Sequence, residues 1–126
     1  NIEAKTMVEM MKKDLLPSAS AYEADLTKVL ANKKVAGISS VGTFEANMVK
    51  NISALSSDLY KKTDLLEKAI IKTNKITDLE KKATSFHDSV LEAMADCRKT
   101  ADELEPLLDD QYLVYPTYGK LLFSVK

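Results

Sequence analysis

The side chains able to do chemistry are few and scattered. His87 is the single histidine and Cys97 the single cysteine, and one of each cannot build a zinc site of the usual nitrogen and sulfur kind. A ferritin-like di-iron helix needs a Glu three residues before its His; here that position is Thr84, so a surface or partly packed imidazole is the plain reading. Asp88 and Glu92 stand one helical turn apart and could share a cation, although a solvated helical face accounts for them as well. Cys97 falls on an apolar seam with Ala93, Met94 and Ala101. A thiol there is a small core residue, and reactivity would need a basic, exposed setting for which Arg98 alone is weak support. Met7, Met10, Met11, Met48 and Met94 could form an adaptable binding surface, but Met at helical spacing more often fills a core. Lys61-Lys62 and Lys81-Lys82 lack the interleaved aromatics of a nucleic-acid platform. No nucleophile, base and orienting acid assemble from these residues. Taken alone they describe a non-catalytic helical bundle.

Composition narrows the function classes further. The 126 residues carry 18 basic and 19 acidic side chains, for a formal net charge of −1. Seventeen of the basic residues are Lys, whereas bidentate grips on phosphate or guanine favour Arg, so no nucleic-acid partner is expected. Three scattered glycines, Gly37, Gly42 and Gly119, build neither a dinucleotide fingerprint nor a phosphate loop. No apolar run approaches the ~20 residues that span a bilayer, and no membrane partner is expected. A lone Cys forms no intrachain disulfide, so the chain does not need an oxidising compartment. It opens on Asn1 without an initiator Met or signal peptide, as expected of a piece cut from a longer polypeptide or from a tag.

The positioning elements are helices. In residues 2–34, Ala4, Val8, Met11, Leu15, Ala19, Tyr22, Leu26 and Val29 recur at spacings of three and four and line one seam. Asn1 suits the N-cap. Pro17 predicts a kink, or a break just before it. Residues 35–43 lose charge and periodicity, with Gly37 placed to end the first helix and Thr43 to cap the second. The second helix is expected over about 44–76, with Met48, Ile52, Leu55, Leu59, Leu66, Ala69, Thr73 and Ile76 inward and Lys62 as a polar interruption. The third is expected over about 78–107, with Leu79, Ala83, Phe86, Val90, Ala93, Cys97, Ala101, Leu104 and Leu108 inward. Thr77 and Glu80 form a capping box between them. A single helix running through residue 77 is the competing reading.

Three long helices with short connections make an antiparallel up-down-up bundle. Residues 61–82 carry seven Lys against four acids, and residues 88–110 carry eight acids, so opposite fields on neighbouring helices would favour that register. Residues 112–126 change character: Tyr112, Tyr115, Tyr118 and Phe123 are four of the eight aromatics in the chain. Soluble monomers rarely leave such a segment bare. A docked tail is expected, with Tyr112, Tyr115, Pro116, Tyr118, Leu121, Leu122 and Phe123 as docking residues and Pro116 opening a short helix.

Several stretches resemble the extreme C-terminal region of type III glutamine synthetases. They are Asn1 to Tyr22 (Asn-Ile-Glu-Ala-Lys-Thr-Met-Val-Glu-Met-Met and onward), Leu-Tyr-Lys-Lys-Thr at 59–63 and Ala-Asp-Glu-Leu-Glu at 101–105. The most distinctive is Tyr-Pro-Thr-Tyr-Gly-Lys-Leu-Leu-Phe-Ser-Val at 115–125. The resemblance implies that residues 1–126 are one helical domain at the C-terminal end of a larger cytoplasmic bacterial enzyme. That parent would join ammonia to glutamate with ATP and Mg²⁺, and assemble as stacked rings of identical subunits. It implies no cofactor and no catalytic or metal residue in this chain, and the catalytic domain of the parent as partner. The alternative is a free-standing interaction module with no enzymatic parent.

Overall fold

The computed structural model describes residues 2–112, and every regular element within them is helical. Three arms pack side by side, as the apolar seams predict. The first consists of α1 (Ile2–Met10), a π-helical turn (Met11–Leu15) and α2 (Leu16–Val35); the second is α3 (Phe44–Asn74). The third consists of α4 (Leu79–Ser85), a π-helical turn (Phe86–Val90) and α5 (Leu91–Leu104), followed by 3-10 turns at Glu105–Leu107 and Asp110–Tyr112. Cross-arm bonds fix the antiparallel order: Lys12 to Glu67 and Lys33 to Glu45 join the first two arms, and Thr73 to Ser85 and Thr100 to Asp58 join the last two. Asn1, read as an N-cap, lies outside the described residues.

The first arm does not break at Pro17. Proline has no N–H for the carbonyl four residues back, and its ring crowds that carbonyl. The ladder widens one step earlier instead: the Leu16 N–H reaches the Met11 carbonyl, five residues back. The wider turn opens the helix before the ring arrives, and the chain stays helical.

The arm ends follow local chemistry. Gly37 takes φ 77°, its N–H bonds the Lys34 carbonyl, and the Ile38 N–H bonds the Lys33 carbonyl at 2.8 Å. These two bonds satisfy carbonyls that the helix end would otherwise leave open. The Thr43 hydroxyl caps α3 through the Ala46 amide at 3.3 Å. The break after Asn74 decides between the two readings of that region in favour of separate helices. Its cap is Asp78 rather than Thr77: the Asp78 carboxylate accepts from the Glu80 and Lys81 amides at 3.0 and 3.2 Å, filling the role the capping-box reading gave to the threonine.

The core runs along the middle of the three arms. Met11, Leu15, Ile52, Leu59, Leu66, Val90, Cys97, Ala101 and Leu104 are fully buried, and burial of each large side chain contributes roughly 1.5–3 kcal/mol. The expected seams hold with three exceptions. Leu79 is 83% exposed and Ala83 is also exposed. Thr73, near the end of α3, pairs with Ser85, the last residue of α4, at 2.7 Å. The first residues of α4 therefore lie past the end of α3, and none of α4 is buried. The π-helical turn that follows adds a residue to the arm and shifts the inward face of α4 by one position, so Ser85 reaches Thr73 and Lys82 is half-buried where the seam reading had Ala83. Val29 is the third exception, exposed because the third arm has already ended at its level.

Candidate functional site

The most connected polar group lies between α3 and α5. The Lys62 ammonium donates to the Thr100 hydroxyl at 2.7 Å, and that hydroxyl donates to the Asp58 carboxylate at 3.0 Å. Lys62 and Asp58, one turn apart on α3, close the ring with a 2.8 Å ion pair. Hydrogen bonds from Lys62 and then Thr100 hold the Asp58 carboxyl below its ordinary range, and Asp58 holds the Lys62 ammonium above its own. Both charges are therefore fixed near neutral pH. A permanently protonated amine and a permanently ionised acid make a clamp between arms, not an acid–base pair. The i, i+4 spacing of Asp58 and Lys62 was legible in the sequence. Thr100, which makes the link across arms and is buried, carried no signal.

The residues singled out for chemistry are not brought together. His87 is exposed, with its Nδ1 3.2 Å from the Asp88 carboxylate next to it in sequence. Asp88 and Glu92 line separate open hollows. Glu92 shares one with Lys62 and Asp96, and Asp88 shares the other with Lys72 and Lys81. Each hollow is lined by lysine as well as by carboxylates, and that positive charge opposes a bound cation. Among the described residues, no group of three His, Cys, Asp or Glu side chains is placed to hold a metal ion. Cys97 is fully buried; burial pushes its thiol up, with the Thr63 hydroxyl opposing more weakly. Such a thiol is inert packing. Met7 and Met11 are buried in the core and Met10, Met48 and Met94 pack against it, so the methionines are core filler. Arg98 pairs with Asp102 on its own helix at 3.9 Å. No described helix is long and apolar enough to cross a membrane.

Of the expected docking residues, Tyr112 alone lies within the described residues. Its ring lies on Tyr22, with centroids 4.9 Å apart and planes tilted by 35°. Its hydroxyl donates to the Asp25 carboxylate on α2. That bond, with smaller contributions from burial and nearby carboxylates, pushes the phenol up to about 12. Tyr115, Pro116, Tyr118, Leu121, Leu122 and Phe123, with the short helix expected there, lie outside the described residues.

Exposed apolar side chains gather at the turn between the first two arms. Val35 and Val41 are each 90% exposed, Phe44 63% and Ile38 57%. An open hollow there is lined by Leu30, Ala31, Lys34, Ile38 and Val41.

Comparison with known proteins adds what this geometry lacks. No family model matches the chain, and no solved structure does. Over all 126 residues it aligns at 36% identity with a glutamine synthetase of Butyrivibrio fibrisolvens. The chain is related to a segment of a glutamine synthetase. It spans 18% of the length of that relative. The resemblance to a glutamine synthetase is therefore borne out, and most of the glutamine synthetase has no counterpart in these 126 residues.

Proposed function

We propose that this chain is the C-terminal helical domain of a type III glutamine synthetase, structural rather than catalytic, and that it supports assembly of the parent enzyme. The parent would be a cytoplasmic bacterial homo-oligomer that makes glutamine from glutamate and ammonia with ATP and Mg²⁺. Its catalytic domain, outside these residues, would carry that chemistry and be the intrachain partner of this domain. The observation that carries the reading is the alignment of the whole chain with less than a fifth of a glutamine synthetase. The inert thiol, the clamped Lys62–Asp58 pair and the separated carboxylates are in keeping with a structural role.

The test uses the full-length parent. Deleting residues 112–126, which hold the docking residues, is expected to lower its melting temperature or its oligomer mass. Oligomer mass, melting and glutamine formation all unchanged by the deletion would overturn the assembly role.

A further inference from the structure

The outer face formed by α3 and α5 carries two exposed stripes of opposite charge. On α3 the stripe is Lys61, Leu65, Lys68 and Lys72; on α5 it is Glu92, Asp96, Lys99 and Glu103. Both advance by four, three and four residues, so each stays on one side of its helix. Leu65 stands 61% exposed within the first stripe. Between the stripes lies a shallow hollow lined by Leu65, Ala69, Ser89 and Ala93 together with Lys62, Glu92 and Asp96. Its small side chains leave space for a larger one arriving from outside. Lys61, Lys72, Glu92, Asp96 and Glu103 form no ion pair among the described residues, so a partner can answer their charge.

We infer that a second copy of the chain docks on this face, about a two-fold axis parallel to the helices. Such an axis lays α3 of one copy over α5 of the other and leaves every residue at its own height. The heights are set within one chain. Thr100 bonds both Asp58 and Lys62, Leu65 and Ala69 share a hollow with Glu92 and Ala93, and Lys72 shares one with Asp88. Across the axis Lys68 therefore meets Glu92, Lys72 meets Asp88, and Lys61 lies between Asp96 and Glu103. Leu65 of each copy settles against Ala93 of the other. A two-fold axis running across the helices would instead set lysines on lysines and acids on acids, and like charges in contact oppose association.

The size of the face sets the strength of the contact. From Asp58 to Ile76 it is ~27 Å long, and two helices are about 20 Å wide. The surface buried would be on the order of 1,000 Å² in total, at the low end for a specific contact. The dimer of the isolated chain is therefore weak and sensitive to salt, because charge rather than apolar area supplies its selectivity. This deepens the proposed function, and rests on it only in taking the parent to be an assembly of identical subunits. There, other contacts would hold the two copies close and strengthen a weak one.

The experiment measures self-association of the 126-residue chain by analytical ultracentrifugation at low salt, beside two charge-reversed variants. One carries Lys68→Glu with Lys72→Glu, and the other Asp88→Lys with Glu92→Lys; all four side chains are exposed, so the fold is kept. Each variant alone sets like charges on like and is expected to weaken the dimer about tenfold or more. An equal mixture of the two restores opposite charges on both halves of the two-fold contact, and should dimerise within about threefold of the unaltered chain. An unaltered chain that stays monomeric up to about 1 mM overturns the inference. So does a dimer that survives either reversal, since its contact is then elsewhere, or a mixture that stays as monomeric as its components. None of these readings uses the parent enzyme or removes the tail, so failure here is distinguishable from failure of the assembly role.

Discussion

From the Ile2 end to Leu26, each helix of the first arm has the second arm and then the third beside it; from Val29 to the turn at Gly37 it has the second alone. The two stretches are held by different physics. The trunk relies on burial, with Leu15, Leu59, Leu66 and Leu104 sealed from water. The hairpin of residues 27–51 has nothing buried and relies on its ends. They are the Gly37 closure, the Thr43 cap and the Lys33–Glu45 ion pair that staples one arm to the other. Where a third layer is absent, termini and turn chemistry set the geometry, and an N-cap such as Thr43 is worth about 1 kcal/mol. The comparison predicts that the trunk is the last part of the molecule to unfold and the hairpin an early one.

The largest effect should come from the trunk. Leu59→Ala leaves a cavity at a fully buried site and is expected to lower unfolding free energy by about 2–5 kcal/mol in denaturant titrations. A loss under about 1 kcal/mol would mean the trunk is not sealed as described. Gly37→Ala probes the hairpin. A Cβ at Gly37 meets no atom within 4 Å, but φ 77° places it in left-handed backbone. The expected loss is roughly 1–2 kcal/mol, with exchange at Leu59 and Leu104 disturbed less than at Phe44. Uniform loosening of both regions would erase the distinction between them.

Thr100→Val keeps the shape of the buried side chain and removes the hydroxyl that links α5 to Asp58. It is expected to cost about 1 kcal/mol and to raise the Asp58 carboxyl toward its ordinary value, read by NMR titration. An unmoved Asp58 would show that Lys62 alone holds it. The smallest effect is that of acid. Lys33 holds the Glu45 carboxyl below its ordinary 4.5, and Lys62 holds Asp58 below 3.8. A carboxylate depressed in the folded state stabilises above its unfolded value and loses that contribution as pH falls through the folded one. Asp58 is exposed and Glu45 partly so, so solvent screens both pairs and the loss should be slight and reduced by salt. Half-buried Glu23 acts in reverse: burial raises it above 4.5, so its contribution fades as pH rises. Hairpin exchange, corrected for its intrinsic pH dependence, that stays constant as pH drops below 4.5 would remove the Lys33–Glu45 pair from the account of the hairpin.

The contrast also explains what could be read in advance. Gly37, Thr43 and the break near residue 75 are set by a few neighbouring residues, so the three arms and their turns were legible. So were the seams wherever three layers meet. Three kinds of feature were not. Leu79 and Ala83 sit on a correct period, but their exposure depends on how far α4 overshoots α3, a stagger set by packing along the whole interface. Thr63 and Thr100 are buried polar residues off the apolar period: Thr63 turns its hydroxyl back onto the Leu59 carbonyl of its own helix, and Thr100 finds Asp58 on another arm. The wide turn before Pro17 was foreseen as a disturbance without its form, and nothing in Phe86–Val90 announces the second one. For function, the residues alone yielded a clamp and an inert thiol. The relation to glutamine synthetase came from resemblance along the chain, not from any constellation of side chains.

α3 is the one arm among the described residues that runs without a wide turn, through 31 residues from Phe44 to Asn74. The other two arms each carry a place where the backbone ladder loosens. Mechanically, α3 is a stiff spar about 46 Å long, with a flexing member lashed to either side. A tilt of about 10° where it meets the trunk end would carry Phe44 through ~8 Å at the far end. Small rotations of the trunk are thereby magnified into displacements of the turn at Gly37.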